Sequence, residues 1–257
     1  METQPCILYY DRRSICSSMV RYTLANAGLP DNCLPLSVEL REIDIYTGAQ
    51  LSEAYLCEVN PKGQVPVLLC PGLLEKPITD SLDITFWLCE RHPGLRPPEY
   101  AGDINRLLRD LHAINFFSLS MRRNPQRAEM QEAKILAQMN KPDISARHKK
   151  ALEYKLTVNS SEKVEGVRPE VIKEEIERAR ALLNDIDGMR RAHNEKNLTA
   201  DAWIFGTEVP TALDTTLICL LARLMDVQLE EIIPSALLEM GRAVRATTKF
   251  KEIWFSL

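Results

Sequence analysis

The strongest constraint on this chain is a change of pattern near residue 92. Before it, short apolar runs alternate with amphipathic stretches; after it, only helical periodicity remains. Cys6-Ile7-Leu8-Tyr9-Tyr10 is a continuous apolar run rich in aromatics, which reads as a buried strand. Asp11-Arg12-Arg13-Ser14 breaks it. Residues 17–27 then predict a helix, with Met19, Val20, Thr23, Leu24 and Ala27 at helical spacing and Gly28 and Pro30 as stop signals. Residues 36–45 alternate apolar and charged side chains (Val38, Leu40, Ile43), the pattern of a half-buried strand. A short helix over 51–57, a strand over 65–69, a turn at Pro71-Gly72, a second short strand over 73–78 and a helix over 80–91 complete the segment. That order predicts a small mixed sheet with helices on it, its first two strands parallel and joined by a right-handed crossover.

Residues 93–99 hold three prolines and a glycine and read as a linker between residues 1–92 and an all-helical part over 100–257. One long helix is expected over 100–123, interrupted at Asn124-Pro125. Residues 126–166 are polar with weak periodicity and read as an insert of partial helix and mobile loop. A helix over 169–193 carries Ile172, Ile176, Ala179, Leu183 and Ile186 on one face. Thr211, with Asp214 three residues later, resembles a capping box opening a helix that is apolar nearly all round through Leu213, Leu217, Leu220, Leu221 and Leu224. Residues 235–247 and 250–255 close the chain.

Composition matters mainly for what it excludes. A formal net charge of −4 over 257 residues offers no broad nucleic-acid footprint. The seven cysteines are odd in number, lack CxxC spacing and mostly lie in apolar stretches, which predicts reduced, buried thiols in a cytosol-like compartment. The four histidines are scattered, so no zinc site is expected. No signal peptide or membrane span is read, and a cytoplasmic protein is expected.

Chemistry is concentrated in three places. Val59-Asn60-Pro61-Lys62-Gly63-Gln64-Val65-Pro66 runs a turn into a strand that starts at a proline. A cis Val65-Pro66 bond would turn the Val65 N–H and C=O outward for an extended, peptide-like ligand; a trans proline would simply begin an ordinary strand. Ser14-Ile15-Cys16-Ser17-Ser18 enters a helix, where unsatisfied N–H groups and partial positive charge favour an anion. A serine hydroxyl there either donates to a bound thiolate or caps the helix. Cys16 is either a second candidate, as thiolate or mixed disulfide, or a packed thiol. Asp80-Ser81 begins another helix and suits either capping or a ligand's carboxylate and ammonium. Gln50 and Lys62 read as surface polar groups; Arg12 and Arg13 serve either an anionic ligand or a solvated loop. The three features converge on an extended peptide bearing two carboxylates, an amine and a thiol, which describes glutathione.

These motifs resemble the cytosolic glutathione transferases. Leu8-Tyr9-Tyr10 with Ser14-Ile15-Cys16-Ser17 and Val20-Arg21, Gly48-Ala49-Gln50-Leu51, Asn60 to Pro66, and Ile78-Thr79-Asp80-Ser81-Leu82-Asp83-Ile84 are similar to the zeta-class and fungal-type Ser-x-Cys enzymes. The resemblance implies a thioredoxin-like N-terminal domain, an all-helical C-terminal domain and a homodimer. By position it implies that Ser14 activates the glutathione sulfur and that Val65, before a cis Pro66, pairs with the cysteinyl backbone. Asp80 and Ser81 then hold the γ-glutamyl end, and Gln50, Lys62 and Gln64 serve the rest of the tripeptide. A small apolar electrophile would meet Phe117, Met121 and Arg122, for conjugation, isomerisation or elimination, with a tailoring role in secondary metabolism. Two departures are visible. Ile15 stands where the zeta pattern has a second serine, and the 126–166 insert resembles that of ganglioside-induced differentiation-associated proteins. The alternative implied is a non-catalytic regulatory or scaffolding relative.

Overall fold

The structure is a computed structural model that describes residues 5–31, 36–194 and 203–256. A three-stranded sheet has the order β2-β1-β3, with β1 Cys6–Tyr10, β2 Val38–Glu42 and β3 Val67–Leu69. β1 and β2 are parallel, as a crossover connection requires, and β1 and β3 are antiparallel. The expected second strand after β3 shrinks to one bridge, Ile78 opposite Leu68, with both backbone hydrogen bonds at 2.9 Å. From Ala101 onward the regular elements of the described residues are all helices and helical turns, so the architecture is a thioredoxin-like α/β segment followed by an all-α region.

Several expectations need correction. β2 is an edge strand whose Leu40 is 48% exposed, so its alternation does not mark a half-buried face. The helix expected over 51–57 is a 3-10 turn at Ala49–Leu51 and a π turn at Tyr55–Val59. The expected helix over 100–123 is two helices, α3 Ala101–His112 and α4 Phe116–Met121, where α1 is Ile15–Asn26 and α2 is Ser81–Arg91. The break lies at Asn115, whose Oδ1 accepts from the Phe117 and Ser118 N–H groups and starts a new helix. Gly166 permits this. A Cβ there would stand 2.7 Å from Asn115 Nδ2 and 3.0 Å from Ser118 Oγ. The thiol expectation also fails for one pair, because Cys6 and Cys70 form a disulfide. Antiparallel register sets Ile7 opposite Leu69 and so brings the flanking cysteines together, across 64 residues of sequence. That pair no longer argues for a reducing compartment. Cys16, Cys57, Cys89 and Cys219 form no disulfide among the described residues, and Cys33 lies outside them.

The chain forms two compact units. One holds residues 1–11, 36–80 and 115–174. Here the polar insert is an ordered pair of helices, α5 Gln126–Met139 and α6 Ala146–Asn159, followed by a π turn at Ser160–Val164. The mobile loop expected there is absent because the weak apolar pattern is enough for a small core. Ile135 and Leu152 bury against Leu51 and Leu56, each side chain at most 2% exposed. Full burial contributes about 1.5–3 kcal/mol per side chain. Directional bonds fix the register: His148 Nε2 to the Leu51 carbonyl (2.8 Å), Ser145 Oγ to Glu53 (2.7 Å) and Lys155 Nζ to the Lys62 carbonyl (2.7 Å).

The other unit holds residues 12–35, 81–114 and 175–257. Its helices after α6 are α7 Pro169–Asn194, which begins in the first unit, then α8 Ala212–Asp226, α9 Ser235–Ala246 and α10 Thr248–Lys251. Leu213, Leu217, Leu220, Leu221 and Leu224 of α8 are fully buried, as the all-round apolar pattern predicts. The capping box is present. The Asp214 carboxylate accepts from the Thr211 N–H (2.8 Å), the Thr211 hydroxyl (2.6 Å) and the Ile204 N–H (2.9 Å). α1 packs on α8 through a buried hydroxyl pair, Thr23 to Thr215, at 2.8 Å.

Two stability outcomes follow from these buried groups. Burial, then Lys163, pulls Lys155 down from 10.5 to about 8, with Glu162 opposing. A lysine whose folded pKa lies below its unfolded value makes the folded state more stable as pH rises from about 8 to about 10.5. Urea unfolding of Lys155→Met should lack this rise, a difference from wild type of up to about 3 kcal/mol. Asp214→Ala leaves two buried N–H groups unpaired and should cost about 2–4 kcal/mol in the same assay.

Candidate functional site

The residues singled out from sequence fall into two groups, one in each unit. Gln50, Lys62, Gln64, Val65, Pro66, Asp80, Phe117, Met121 and Arg122 belong to the first; Ser14, Cys16 and Ser81 belong to the second. Asp80 closes a segment of the first unit, and Ser81, the first residue of α2, opens a segment of the second.

In the first group the Val65-Pro66 bond is cis. The turn before it is closely held. The Gln64 carbonyl accepts from Tyr55 Oη at 2.8 Å and from Asn60 Nδ2 at 2.9 Å. Asn60 Oδ1 accepts from the Lys62 N–H at 3.0 Å, an Asx turn that the Asn-Pro sequence favours. Both carbonyl lone pairs of Gln64 are therefore used. Among the described residues the Val65 N–H and C=O take no protein hydrogen bond. A backbone N–H and C=O on one half-buried residue can pair with an extended peptide as a strand would.

Gly63 has φ +55, a left-handed conformation, and its Cα is closed in on three sides. Gln50 is buried; its Nε2 donates to the Ile45 carbonyl (3.3 Å), whereas Oε1 has no partner. It is thus a held group in the turn rather than a surface residue. The Lys62 side chain is exposed, but its carbonyl takes the Lys155 proton. Gln64 Nε2 donates to Glu162 Oε2 at 2.5 Å. Asp80 is exposed. Phe117 is half-buried with Lys163 Nζ 4.6 Å from its ring centroid, and Met121 and Arg122 are half-buried at the end of α4.

In the second group Ser14 is the N-cap of α1, which begins two residues earlier than the periodicity predicts. Its Oγ accepts from the Ser17 N–H at 3.2 Å. Capping does not exclude chemistry, since a hydroxyl that accepts still has its own proton to donate. An anion receiving that proton also lies at the positive end of a 12-residue helix. Cys16 is half-buried in the first turn and interacts electrostatically with Cys219, whose thiol burial pushes up. Ser81 is buried, and its carbonyl accepts from Thr85 Oγ1 at 2.8 Å.

Sequence reasoning missed the groups that hold these residues. Buried Arg223 of α8 donates to the Arg13 carbonyl at 3.0 Å, just before Ser14, and its guanidinium lies 5.1 Å from the Trp254 ring centroid. Arg13 in turn lies 5.6 Å from the Phe255 ring centroid. Tyr55, Asn60, Lys155 and Glu162 do the equivalent work around Gln64. An arginine inside an apolar helix was the one visible signal, because a buried cation needs a partner. No cluster of metal-binding side chains occurs among the described residues.

Comparison with known proteins bears on the fold that carries these residues. Residues 13–91 match the family profile described as "Glutathione S-transferase, N-terminal domain". No curated protein sequence matches the chain significantly. Among solved structures, the chain is similar to yeast Ure2p in complex with glutathione (TM-score 0.66, 11% identity, covering 98% of this chain and 95% of that one). It is also similar to a glutathione transferase family member from Pseudomonas fluorescens with two glutathiones bound (0.60, 15%, 96% and 91%). A third is a bacterial zeta-class glutathione transferase, maleyl pyruvate isomerase (0.55, 17%, 96% and 96%).

The packing at Gly63 gives a direct outcome. A Cβ there would stand 2.9 Å from Leu56 Cδ2, 3.2 Å from Lys155 Cδ and 3.3 Å from the Gln50 carbonyl. Gly63→Ala should therefore destabilise the protein by about 1–3 kcal/mol in chemical denaturation.

Proposed function

We propose that this chain, whose residues 13–91 match the glutathione S-transferase N-terminal domain, is a glutathione transferase relative that binds glutathione and activates the thiol for attack on an apolar electrophile. The observation that carries this reading is Val65, whose backbone N–H and C=O take no protein hydrogen bond among the described residues, after a turn held by the Tyr55 and Asn60 side chains. The cysteinyl segment of glutathione pairs there in extended form. Asp80 attracts the γ-glutamyl ammonium, while the Ser81 backbone receives the carboxylate at the start of α2. Gln50, Lys62 and Gln64 face the glycyl end.

In this reading Ser14 is the catalytic residue. Its hydroxyl donates to the glutathione sulfur, favours thiolate over thiol, and keeps its acceptor side on the Ser17 N–H. The thiolate then attacks the electrophile, forming a carbon–sulfur bond as the leaving group departs or the acceptor takes a proton. Phe117, Met121 and Arg122 are the proposed co-substrate contacts, and a cytoplasmic homodimer is the proposed setting. The role of Cys16 is separable: a thiol transferase would form a mixed disulfide on it.

A second reading is a regulatory module that binds glutathione without turnover. The solved nitrogen regulation fragment of the yeast prion protein Ure2p, of similar fold, favours it (TM-score 0.65, 12% identity).

Calorimetry with reduced glutathione and turnover on a panel of electrophiles separate the readings. Ser14→Ala should lower turnover about 10- to 100-fold while glutathione affinity changes less than about threefold. Binding without turnover in wild type selects the regulatory reading. Loss of activity toward disulfides in Cys16→Ser, with Ser14→Ala unaffected, selects thiol transfer.

A further inference from the structure

β2 is an open edge of the sheet: among the described residues it pairs with β1 and with no other strand. The ladder fixes which of its polar groups face outward. The Cys6 N–H donates to the Ser37 carbonyl at 2.8 Å, and the Ile43 N–H donates to the Tyr10 carbonyl at 2.7 Å. In a parallel pair this phase turns the backbone groups of Glu39 and Arg41 toward β1, and those of Val38, Leu40 and Glu42 toward the open side. Side chains give a second observation. Leu68, Leu8 and Leu40 stand opposite one another across β3, β1 and β2 and share one face. The first two are at most 1% exposed, whereas Leu40 is 48% exposed. The buried leucine row therefore ends unfinished at the edge.

Glu39 and Arg41 project from the opposite face. Within one chain the Arg41 guanidinium donates to the Glu39 carboxylate at 2.7 and 3.0 Å and to Tyr9 Oη at 3.4 Å, yet both charged side chains stay nearly half exposed. Opposite charges two residues apart make the strand complementary to its own reverse. Set antiparallel to a second copy about an axis at Leu40, Glu39 of each copy faces Arg41 of the other, and Leu40 faces Leu40. Glu42, the remaining charge of the strand, faces Val38. The backbone phase agrees. Leu40 of each copy exchanges both hydrogen bonds with the other, and residues 39 and 41 fall at the non-hydrogen-bonded positions, where side chains come closest. Neighbouring registers fail. Outward-facing residues must meet, so the register moves in steps that bring the axis to residue 39 or 41. Those steps set Glu39 against Glu39 or Arg41 against Arg41, and like charges directly opposite destabilise a strand pair. A guard against edge pairing needs only repulsion. β2 repels in the neighbouring registers and attracts in one.

We propose that β2 is a self-recognition edge, at which a second copy of this chain pairs antiparallel across Leu40 and joins two three-stranded sheets into one. Two-fold symmetry makes each off-axis contact occur twice. A five-residue strand offers a small surface, so the association is reversible, with a dissociation constant of about 1–100 μM. The inference stands apart from the glutathione-binding reading and gives the homodimer a surface.

Sedimentation equilibrium of the full chain over a concentration series is the test. Wild type should show a reversible monomer–dimer equilibrium. Glu39→Lys and Arg41→Glu each set like charges opposite one another twice, and each should weaken association at least about fivefold. An equal mixture of these two variants should restore it, since each then carries the charge that the other lacks. The double variant Glu39→Lys with Arg41→Glu should restore it as well, and Leu40→Asp should abolish it. The Glu39–Arg41 pair is exposed enough that its loss costs the monomer little, and thermal melting checks that each variant is folded. A wild type that stays monomeric up to about 1 mM, tenfold above the weakest constant expected, overturns the proposal. So does a dimer that neither charge variant weakens, because it lies on another surface. Weakening that neither the mixture nor the double variant reverses overturns it too.

Discussion

Burial of Leu51 and Leu56 beneath Ile135 and Leu152 is the contact on which the unit that holds the sheet depends. Hydrophobic burial is strong but non-directional, so it draws the insert helices onto the Ala49–Val59 region without choosing a register. Register comes from polar bonds around the cluster: His148 on the Leu51 carbonyl, Arg147 on the Cys57 carbonyl at 3.3 Å, Lys134 on the Tyr46 carbonyl and Lys155 on the Lys62 carbonyl. Each donor comes from the insert and each acceptor is main chain. Through these four bonds the insert grips the backbone of the preceding segment, in addition to side-chain contacts such as Ser145 Oγ to Glu53. Backbone held in this way leaves Val65, a few residues further on, with polar groups available for a ligand.

The other unit solves a similar problem with different means. α8 is buried on all sides, so its polar residues cannot be solvated and must be satisfied internally. Asp214 takes three donors at the N-terminus, Thr215 meets Thr23, and Arg223 reaches the Arg13 carbonyl. Burial raises the Asp214 pKa, while its hydrogen bonds oppose that rise. Arg223 holds the peptide group that precedes Ser14, the N-cap of α1.

Ser14 and Cys16 stand in different surroundings at the α1 start. Ser14 precedes the first turn, with its acceptor side on a helix N–H and a donor proton left for a ligand. Cys16 lies inside the first turn and is half-buried, with another thiol among its electrostatic neighbours. A group that must donate to a bound thiolate belongs at the cap, where the helix field favours the anion. A thiol inside the turn is better placed to exchange disulfides than to donate a hydrogen bond.

Much of this was legible in the amino-acid order. β1, α1, α2 and the buried α8 declare themselves because their patterns are local: a continuous apolar run, the spacing of helical faces, and a Thr211-to-Asp214 cap. The motif from Asn60 to Pro66 likewise announces a turn into a strand, because proline and glycine restrict the backbone wherever they occur. What failed was whatever depends on a distant partner. Leu40 alternates as an inward residue does, yet β2 has no layer over it; the Cys6–Cys70 bond spans strands far apart in sequence. Residues 126–166 look polar enough to stay loose, and only Leu51 and Leu56, from another part of the chain, give Ile135 and Leu152 something to bury against. The sequence by itself determined the secondary elements and the candidate ligand-binding residues, since propensity and capping act within a few residues. Tertiary structure alone decided that Glu162 would stand at Gln64 and that Arg223 would brace Ser14's neighbour, since each contact joins groups roughly a hundred or more residues apart.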